Sequence, residues 1–88
     1  MAAISVKNLE SKYDSAKSFY GKAKVRRIGD TVTLLSYETN VMRIQGGRLL
    51  RTAGQPQSAT TARHMREFAQ QNGYPRMSKA ELLEIPTK

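Results

Sequence analysis

The sequence predicts an α+β fold, in which one main helix covers one face of an antiparallel meander of three to four strands. Two observations carry this prediction. A bounded helical segment lies in the C-terminal half of the chain, and two glycine turns, Gly29-Asp30 and Gly46-Gly47, separate runs of β-prone residues before it. Short helical segments are expected at the two ends of the chain. A helix packed on one side of an antiparallel sheet is the α+β arrangement.

The main helix is predicted at residues 59–72. The hydroxyl groups available to the unpaired N–H groups of its first turn belong to Ser58, Thr60 and Thr61. The apolar residues that recur at helical spacing are Ala62, Met65, Phe68 and Ala69. Asn72-Gly73, followed by Pro75, ends the segment. The sheet residues that this helix is expected to cover are Leu35, Val41, Ile44 and Leu50.

Strands are predicted at about residues 18–28, 31–45 and 48–52. No glycine or proline interrupts the chain from Val32 to Ile44. This segment is therefore either one long bent strand or two strands joined by a turn at residues 38–40. We favour the long strand with a bend or bulge near residues 39–41, because apolar residues that follow break the alternation.

Residues 1–17 are predicted to be a polar segment, which suits a short amphipathic helix, ahead of a single domain at residues 18–88. If that helix continued to Gly21, the element order would be α-β-β-β-α, as in double-stranded RNA-binding domains. The hairpin turn at Gly29-Asp30 favours a strand at residues 18–28 instead.

The C-terminal residues predict a second, short helix at about residues 79–85. Ser78 and Glu81 have the spacing of a capping box ahead of an apolar run. Pro86 then ends the helix.

The charge of the chain is the main functional clue. Its 88 residues include 15 Lys and Arg against 7 Asp and Glu, a formal net charge of +8. Such an excess costs self-repulsion unless an anionic partner offsets it. Nucleic acid, an acidic protein surface and an anionic membrane all satisfy this charge, and the charge alone does not choose among them; the expected partner is nucleic acid or an acidic protein surface. We expect no membrane partner, because no stretch of the chain approaches the ~18 apolar residues of a spanning helix. A cytoplasmic location is expected as well, because a chain without cysteine fits a reducing compartment.

Enzymatic chemistry lacks its usual residues. The chain has no cysteine and a single histidine, His64, and its carboxylates are scattered rather than clustered for metal binding. Gly46-Gly47 precedes a strand, so it does not form the phosphate-binding loop that begins a helix. We therefore expect no enzyme, no metal and no cofactor.

A basic segment with interleaved aromatic residues is the first candidate binding site. On a strand, Tyr20, Lys22, Lys24 and Arg26 would share one solvent face, where the cations suit phosphates and the aromatic ring suits a base. The alternative is protection of an edge strand by lysine. The candidate nucleic-acid-binding residues in the two basic clusters are Lys17, Tyr20, Lys22, Lys24, Arg26, Arg27, Arg63 and Arg66.

The start of the main helix is the second candidate. Its cations oppose the helix dipole, and such a placement can mark an anion site made by first-turn N–H groups, hydroxyls and arginine. The residues of this site are Thr60, Thr61, Arg63 and His64. The alternative is that the arginines lean over the sheet edge or pair with Glu67 and Glu38, with His64 a partly buried packing residue.

Three segments resemble those of a family of short uncharacterised proteins from phages and mobile elements of gut bacteria. They are SFYGKA at residues 18–23, SYxT at residues 36–39 and TTxRH at residues 60–64. The resemblance spans most of the chain, implies the cytoplasm of a bacterial host cell, and transfers no catalytic residue. Residues 55–57 depart from it, because similar chains often carry an aromatic residue there.

The leading hypothesis is a small, basic, non-enzymatic accessory protein of a phage or mobile element that binds nucleic acid. The alternative is a protein-binding module, such as a phage-type inhibitor that docks on a host protein or nucleoprotein complex through the same arginines. A third class is a small virion or assembly protein, which predicts self-association, and an open sheet edge is where a homodimer could form.

Overall fold

The computed structural model describes residues 4–13, 21–52 and 58–87. Five strands form one antiparallel sheet in the order β1-β2-β3-β4-β5, and two helices follow it in the chain. The elements are β1 Ile4–Asn8, β2 Ala23–Ile28, β3 Thr31–Ser36, β4 Thr39–Gln45, β5 Arg48–Arg51, α1 Ala59–Gln71 and α2 Lys79–Leu83. The predicted α+β meander with one main helix is confirmed, with one strand more than its upper estimate.

The prediction of one long strand at residues 31–45 was wrong, because a turn divides this segment into β3 and β4. Tyr37 and Glu38 have φ angles of 52° and 68° and form a two-residue turn between β3 and β4. Positive φ at both central positions belongs to a type I′ hairpin turn, normally made by Asn or Gly. The irregularity expected near residues 39–41 is confirmed: Leu34 pairs with Met42 and Leu35 with Asn40, which leaves Val41 as the extra residue that breaks the alternation.

The N-terminal segment is a strand of the domain rather than a separate helix. β1 pairs with β2 from Ile4 opposite Ile28 to Asn8 opposite Lys24. The helix predicted within residues 1–17 was therefore wrong at residues 4–8, and the α-β-β-β-α order is not the observed one. Residues 14–17, like the beginning of the strand predicted at 18–28, lie outside the described residues.

The core lies between the sheet and α1. Met65 and Phe68 are fully buried. The core residues that the sheet contributes are Ala23, Val32, Leu34, Val41 and Met42. Leu82 and Ile85 close it from the second helical segment. Val41 and Ile44 pack as predicted, but Leu35 and Leu50 do not, because side chains alternate along a strand and their neighbours Leu34 and Leu49 face the helix.

Both helices begin at the predicted residues. The Ser58 hydroxyl accepts a hydrogen bond from the Thr61 backbone N–H at 3.1 Å, and Asn72 is the C-cap of α1. Ser78 and Glu81 form the predicted capping box of α2. These local signals were sufficient because a cap involves residues close in sequence.

The two edges of the sheet differ. Thr87 forms a parallel bridge to Arg51, and the Arg51 N–H donates to the Pro86 carbonyl at 3.0 Å, so the C-terminal residues cover the β5 edge. Within the described part of the chain, β1 pairs only with β2. In the same residues, no helix has the length and apolar character needed to cross a membrane.

Candidate nucleic-acid interface

The sheet has one face turned away from α1, which we call the open face. The cross-strand register places Val6, Arg26, Thr33, Arg43 and Leu50 in one row across it, from β1 to β5. Their strand neighbours Val25, Leu34 and Met42 point to the opposite side, into or against the core. Residues paired directly across an antiparallel sheet have neighbouring side chains on one face.

The charges of the open face have one sign. Its described strand positions carry Lys24, Arg26, Arg43 and Arg48 and no carboxylate. Since each strand lies about 4.8 Å from the next, Arg26 and Arg43 are about 10 Å apart at the backbone, within reach of two arginine side chains. The face is therefore a concentrated source of positive potential.

The guanidinium groups of Arg26 and Arg43 contain buried donors that have no acceptor in the part of the chain that the structure describes. The Nε of both residues and Nη2 of Arg43 have no hydrogen-bond partner in the described residues. Leaving a buried donor unpaired costs about 1–3 kcal/mol, so folding alone gives no reason to retain these groups. Nε and Nη2 are also the side-on fork with which arginine binds planar oxyanions.

A cleft of about 640 Å³ opens on this face. Both arginines line it, together with the Thr33 hydroxyl between them and Leu50 at the β5 side. Thr33 and Leu50 are buried although α1 lies on the other side of the sheet, as expected when long arginine side chains lie over their neighbours. The cleft thus combines hydrogen-bond donors with an apolar wall.

An apolar strip lies beside the cleft. Ile4 is 68% exposed, Val6 55% and Ile28 39%, and Ile4 pairs directly with Ile28. Aliphatic side chains in such numbers on one exposed sheet face are typical of a surface that contacts a partner.

Of the predicted basic-strand residues, the structure places Lys24 and Arg26 together on the open face. Arg27 is exposed on the opposite face, since it pairs with Val32. Lys22 precedes β2, and its Nζ lies 5.9 Å from the centre of the Tyr37 ring. Lys17 and Tyr20 lie outside the described residues.

The predicted anion site at the start of α1 is largely occupied by internal contacts. Ser58 already caps the Thr61 N–H, and its hydroxyl lies 3.1 Å from the Thr61 hydroxyl. His64 is 1% exposed and bonded to Ser36 at 2.8 Å, and its ring lies 5.9 Å from the Tyr37 ring. Thr60 is exposed and Arg63 is half-buried. His64 and the buried Thr61 are therefore packing residues in this fold.

Arg66 and Glu67 also have partners inside the protein. Arg66 Nε donates to the Met77 carbonyl at 2.6 Å, tying α1 to the link before α2. The buried Glu67 carboxylate accepts from the Tyr13 N–H at 2.8 Å and from Gln71 at 2.6 Å. These bonds hold residues 9–13 against α1, and they explain how a carboxylate is accommodated in a packed interface.

Sequence reasoning missed Arg43 and Arg48, which the open face brings to Lys24 and Arg26. Arg43 lies 16 residues after Arg27, and the turns at Gly29-Asp30 and Tyr37-Glu38 stand between them. A search for clusters of basic residues along the sequence therefore does not include Arg43. Its position follows from the register of β2, β3 and β4. No local signal in the sequence marks this register, because the turn that determines it, Tyr37-Glu38, contains neither glycine nor asparagine.

The remaining chemistry of the described residues is limited. They contain no group of His, Cys, Asp or Glu arranged to hold a metal ion. Ser36 and His64 are hydrogen-bonded, but they are only 3% and 1% exposed, so a substrate does not reach the serine in this conformation. This bond satisfies two buried polar side chains.

The family of the chain is given by its sequence. A family model, described as a family of unknown function (DUF8033), matches residues 7–84. The chain belongs to the DUF8033 family. The match runs from β1 to the residue after α2 and includes Arg26 and Arg43 of the open face. No curated protein and no solved structure matches the chain.

Proposed function

We propose that this DUF8033 protein is a non-enzymatic nucleic-acid-binding protein and that the open face of its sheet is the binding surface. The observation that carries the proposal is the pair of arginines, Arg26 and Arg43, whose buried donors have no acceptor in the described residues. Phosphate oxygens are acceptors of the matching charge and geometry. The formal charge of +8 adds a long-range attraction to any polyanion.

The arrangement of the face supports this function further. Phosphate contacts supply most of the affinity of a sequence-independent binder, and the cations on the open face are not opposed by a carboxylate on its described strand positions. The apolar strip offers surface on which unpaired bases can pack. In this proposal Lys24, Arg26, Arg43 and Arg48 contact phosphates.

The test is fluorescence anisotropy with labelled DNA and RNA oligonucleotides over a series of salt concentrations. We expect log K to fall linearly with log salt, because bound phosphates release counterions. Absence of binding to every probe at low salt, about 20 mM, would refute the function. The control for folding is that the circular dichroism spectrum of the protein is the same in all of these buffers.

A protein-binding module is the second candidate, and the exposed apolar strip of Ile4, Val6 and Ile28 favours it. Arginines beside apolar side chains are common at protein interfaces. The partner would present carboxylates to Arg26 and Arg43, as expected for an inhibitor that docks on a host protein or nucleoprotein complex. Retention of a partner from host lysate after nuclease treatment, and its loss in Ile28→Lys, would support this function over the first.

The biological setting that we propose is a phage or mobile element in the cytoplasm of a bacterial host. It rests on the resemblance of residues 18–23, 36–39 and 60–64. Self-association through the β1 edge, whose described pairing is with β2 alone, is compatible with either function. Light scattering over a range of protein concentrations measures it directly.

A further inference from the structure

We infer that Arg26 and Arg43 together bind one phosphate group of a single-stranded nucleic acid, an inference that rests on the proposed function and specifies its ligand. Two features of the cleft carry it. The first is the row Arg26, Thr33, Arg43, in which two arginines flank one threonine on adjacent strands. The second is the width of the sheet around this row.

The row has the parts of a phosphate site. A phosphate between the two arginines would accept hydrogen bonds from the donors that lack acceptors in the described residues. These donors are Nε of both arginines and Nη2 of Arg43. Thr33 lines the same cleft, and its hydroxyl would supply a neutral donor. Because these donors are buried in the unbound protein, binding requires the side-on fork to turn from the sheet toward the ligand.

The width of the open face selects the form of nucleic acid. Five strands at the usual spacing make a face about 19 Å wide, whereas the major groove of B-form DNA is about 12 Å wide and admits a helix or a two-stranded ribbon. A duplex can therefore touch this face only with its outer phosphates. A single strand can place a phosphate in the cleft and its unstacked bases on the adjacent apolar strip.

The apolar strip lies on the correct side for this arrangement. Val6 is the direct neighbour of Arg26 in the row, and Ile28 follows Arg26 on the same face of β2. Ile28 also lines the cleft. A base one step along the strand from the bound phosphate would lie over these side chains.

The experiment compares the full chain with a labelled twelve-nucleotide oligo(dT) and with its duplex with oligo(dA). The variants are Arg26→Gln, Arg43→Gln and their combination. Arg76→Gln is the matched control, because it removes the same charge from an exposed residue in the link between the helices. We expect the single strand to bind at least about tenfold more tightly than the duplex. Each cleft variant should lose about tenfold in affinity for the single strand, and Arg76→Gln less than about twofold.

A second measurement uses the unmodified protein and so does not depend on how the variants fold. The Nε–Hε signals of Arg26 and Arg43 in ¹⁵N NMR spectra should shift when oligo(dT) is added, and that of Arg76 should not. Equal or tighter binding of the duplex would overturn the inference while leaving nucleic-acid binding intact. Unmoved Arg26 and Arg43 signals with bound oligonucleotide would do the same. Absence of binding to both DNA probes would overturn the inference, and absence of binding to the RNA oligonucleotides as well would refute the proposed function itself.

Discussion

Ser36 Oγ and His64 Nδ1 lie 2.8 Å apart, so a buried hydrogen bond joins β3 to the second turn of α1. Both side chains are almost completely removed from solvent. The bond shows that His64, although it lies near the basic start of α1, points into the protein. It gives the helix a fixed position over the sheet, because a buried polar pair is satisfied in only one arrangement.

The first prediction follows from this bond. Ser36→Ala removes the partner of His64 Nδ1 in the core, and we expect it to lower the free energy of unfolding by about 1–3 kcal/mol. Urea denaturation measures the change. Thr39→Ala, at an exposed position three residues along the chain, is the control and should change it by less than about 0.5 kcal/mol. Equal effects of the two substitutions would contradict the prediction.

The second prediction concerns the turn at Tyr37-Glu38. Glu38 is exposed and has a φ of 68°, a conformation that costs a residue with a Cβ atom more than it costs glycine. Glu38→Gly should therefore raise the free energy of unfolding by about 1 kcal/mol, seen as a higher Tm. Thr39→Gly, in β4, should lower it by a similar amount. Destabilisation by Glu38→Gly would argue against the observed turn.

The third prediction concerns the cost of the unpaired donors in Arg43. Arg43→Met keeps a long side chain over the sheet and removes the buried Nε and Nη2. We expect stability to stay the same or rise by up to about 1 kcal/mol, while affinity for single-stranded nucleic acid falls. Chemical denaturation and anisotropy on the same preparation measure both quantities. A loss of more than about 1 kcal/mol in stability would assign Arg43 a structural role instead.

The fourth prediction compares two neighbouring arginines. Arg26 and Arg27 lie on opposite faces of β2, so Arg26→Gln and Arg27→Gln remove equal charge from opposite sides of the sheet. Arg26→Gln should weaken binding about tenfold and reduce the salt slope by about 0.7, whereas Arg27→Gln should weaken it only a few-fold through the loss of net charge. The same loss in both variants would mean that total charge, not the open face, determines binding.

The fifth prediction tests the attachment of residues 9–13 to α1. Glu67→Ala removes the carboxylate that accepts from the Tyr13 N–H, and we expect faster hydrogen exchange at that amide. Glu67→Gln keeps an acceptor oxygen in place and should preserve most of the protection. If the amide exchanges equally fast in the wild type and in Glu67→Ala, the bond does not protect it.

The elements predicted correctly are those with local signals. Gly29-Asp30 and Gly46-Gly47 mark turns by their own chemistry, and Ser58 and Ser78 mark helix starts through caps to residues three positions away. The turn at Tyr37-Glu38 had no such signal, because neither residue favours positive φ. β1 had no local signal either. Its partner residues in β2 lie about twenty positions further along the chain, and this pairing becomes favourable only when the hairpin of β2 and β3 has formed.

The candidate site depends still more on the pairing of strands. Arg26 and Arg27 are equivalent in a count of charges, and only the pleat of β2 separates them to opposite faces. Arg43 lies near Arg26 because both pair with Thr33, so their proximity depends on the pairing of three strands. The register shift at Leu34/Leu35 also leaves Val41 as an extra residue in β4, so the consecutive residues Val41 and Met42 both lie in the core.

By itself, the sequence determined the α+β class, the ends of the main helix and the net charge of +8, because caps, glycine turns and composition act over a few residues or over the whole chain. Only the tertiary structure decided which face of the sheet each cation occupies and which donors are left without acceptors. A shift of one residue in the register would exchange the two faces of a strand, so those relations exist only in the folded sheet.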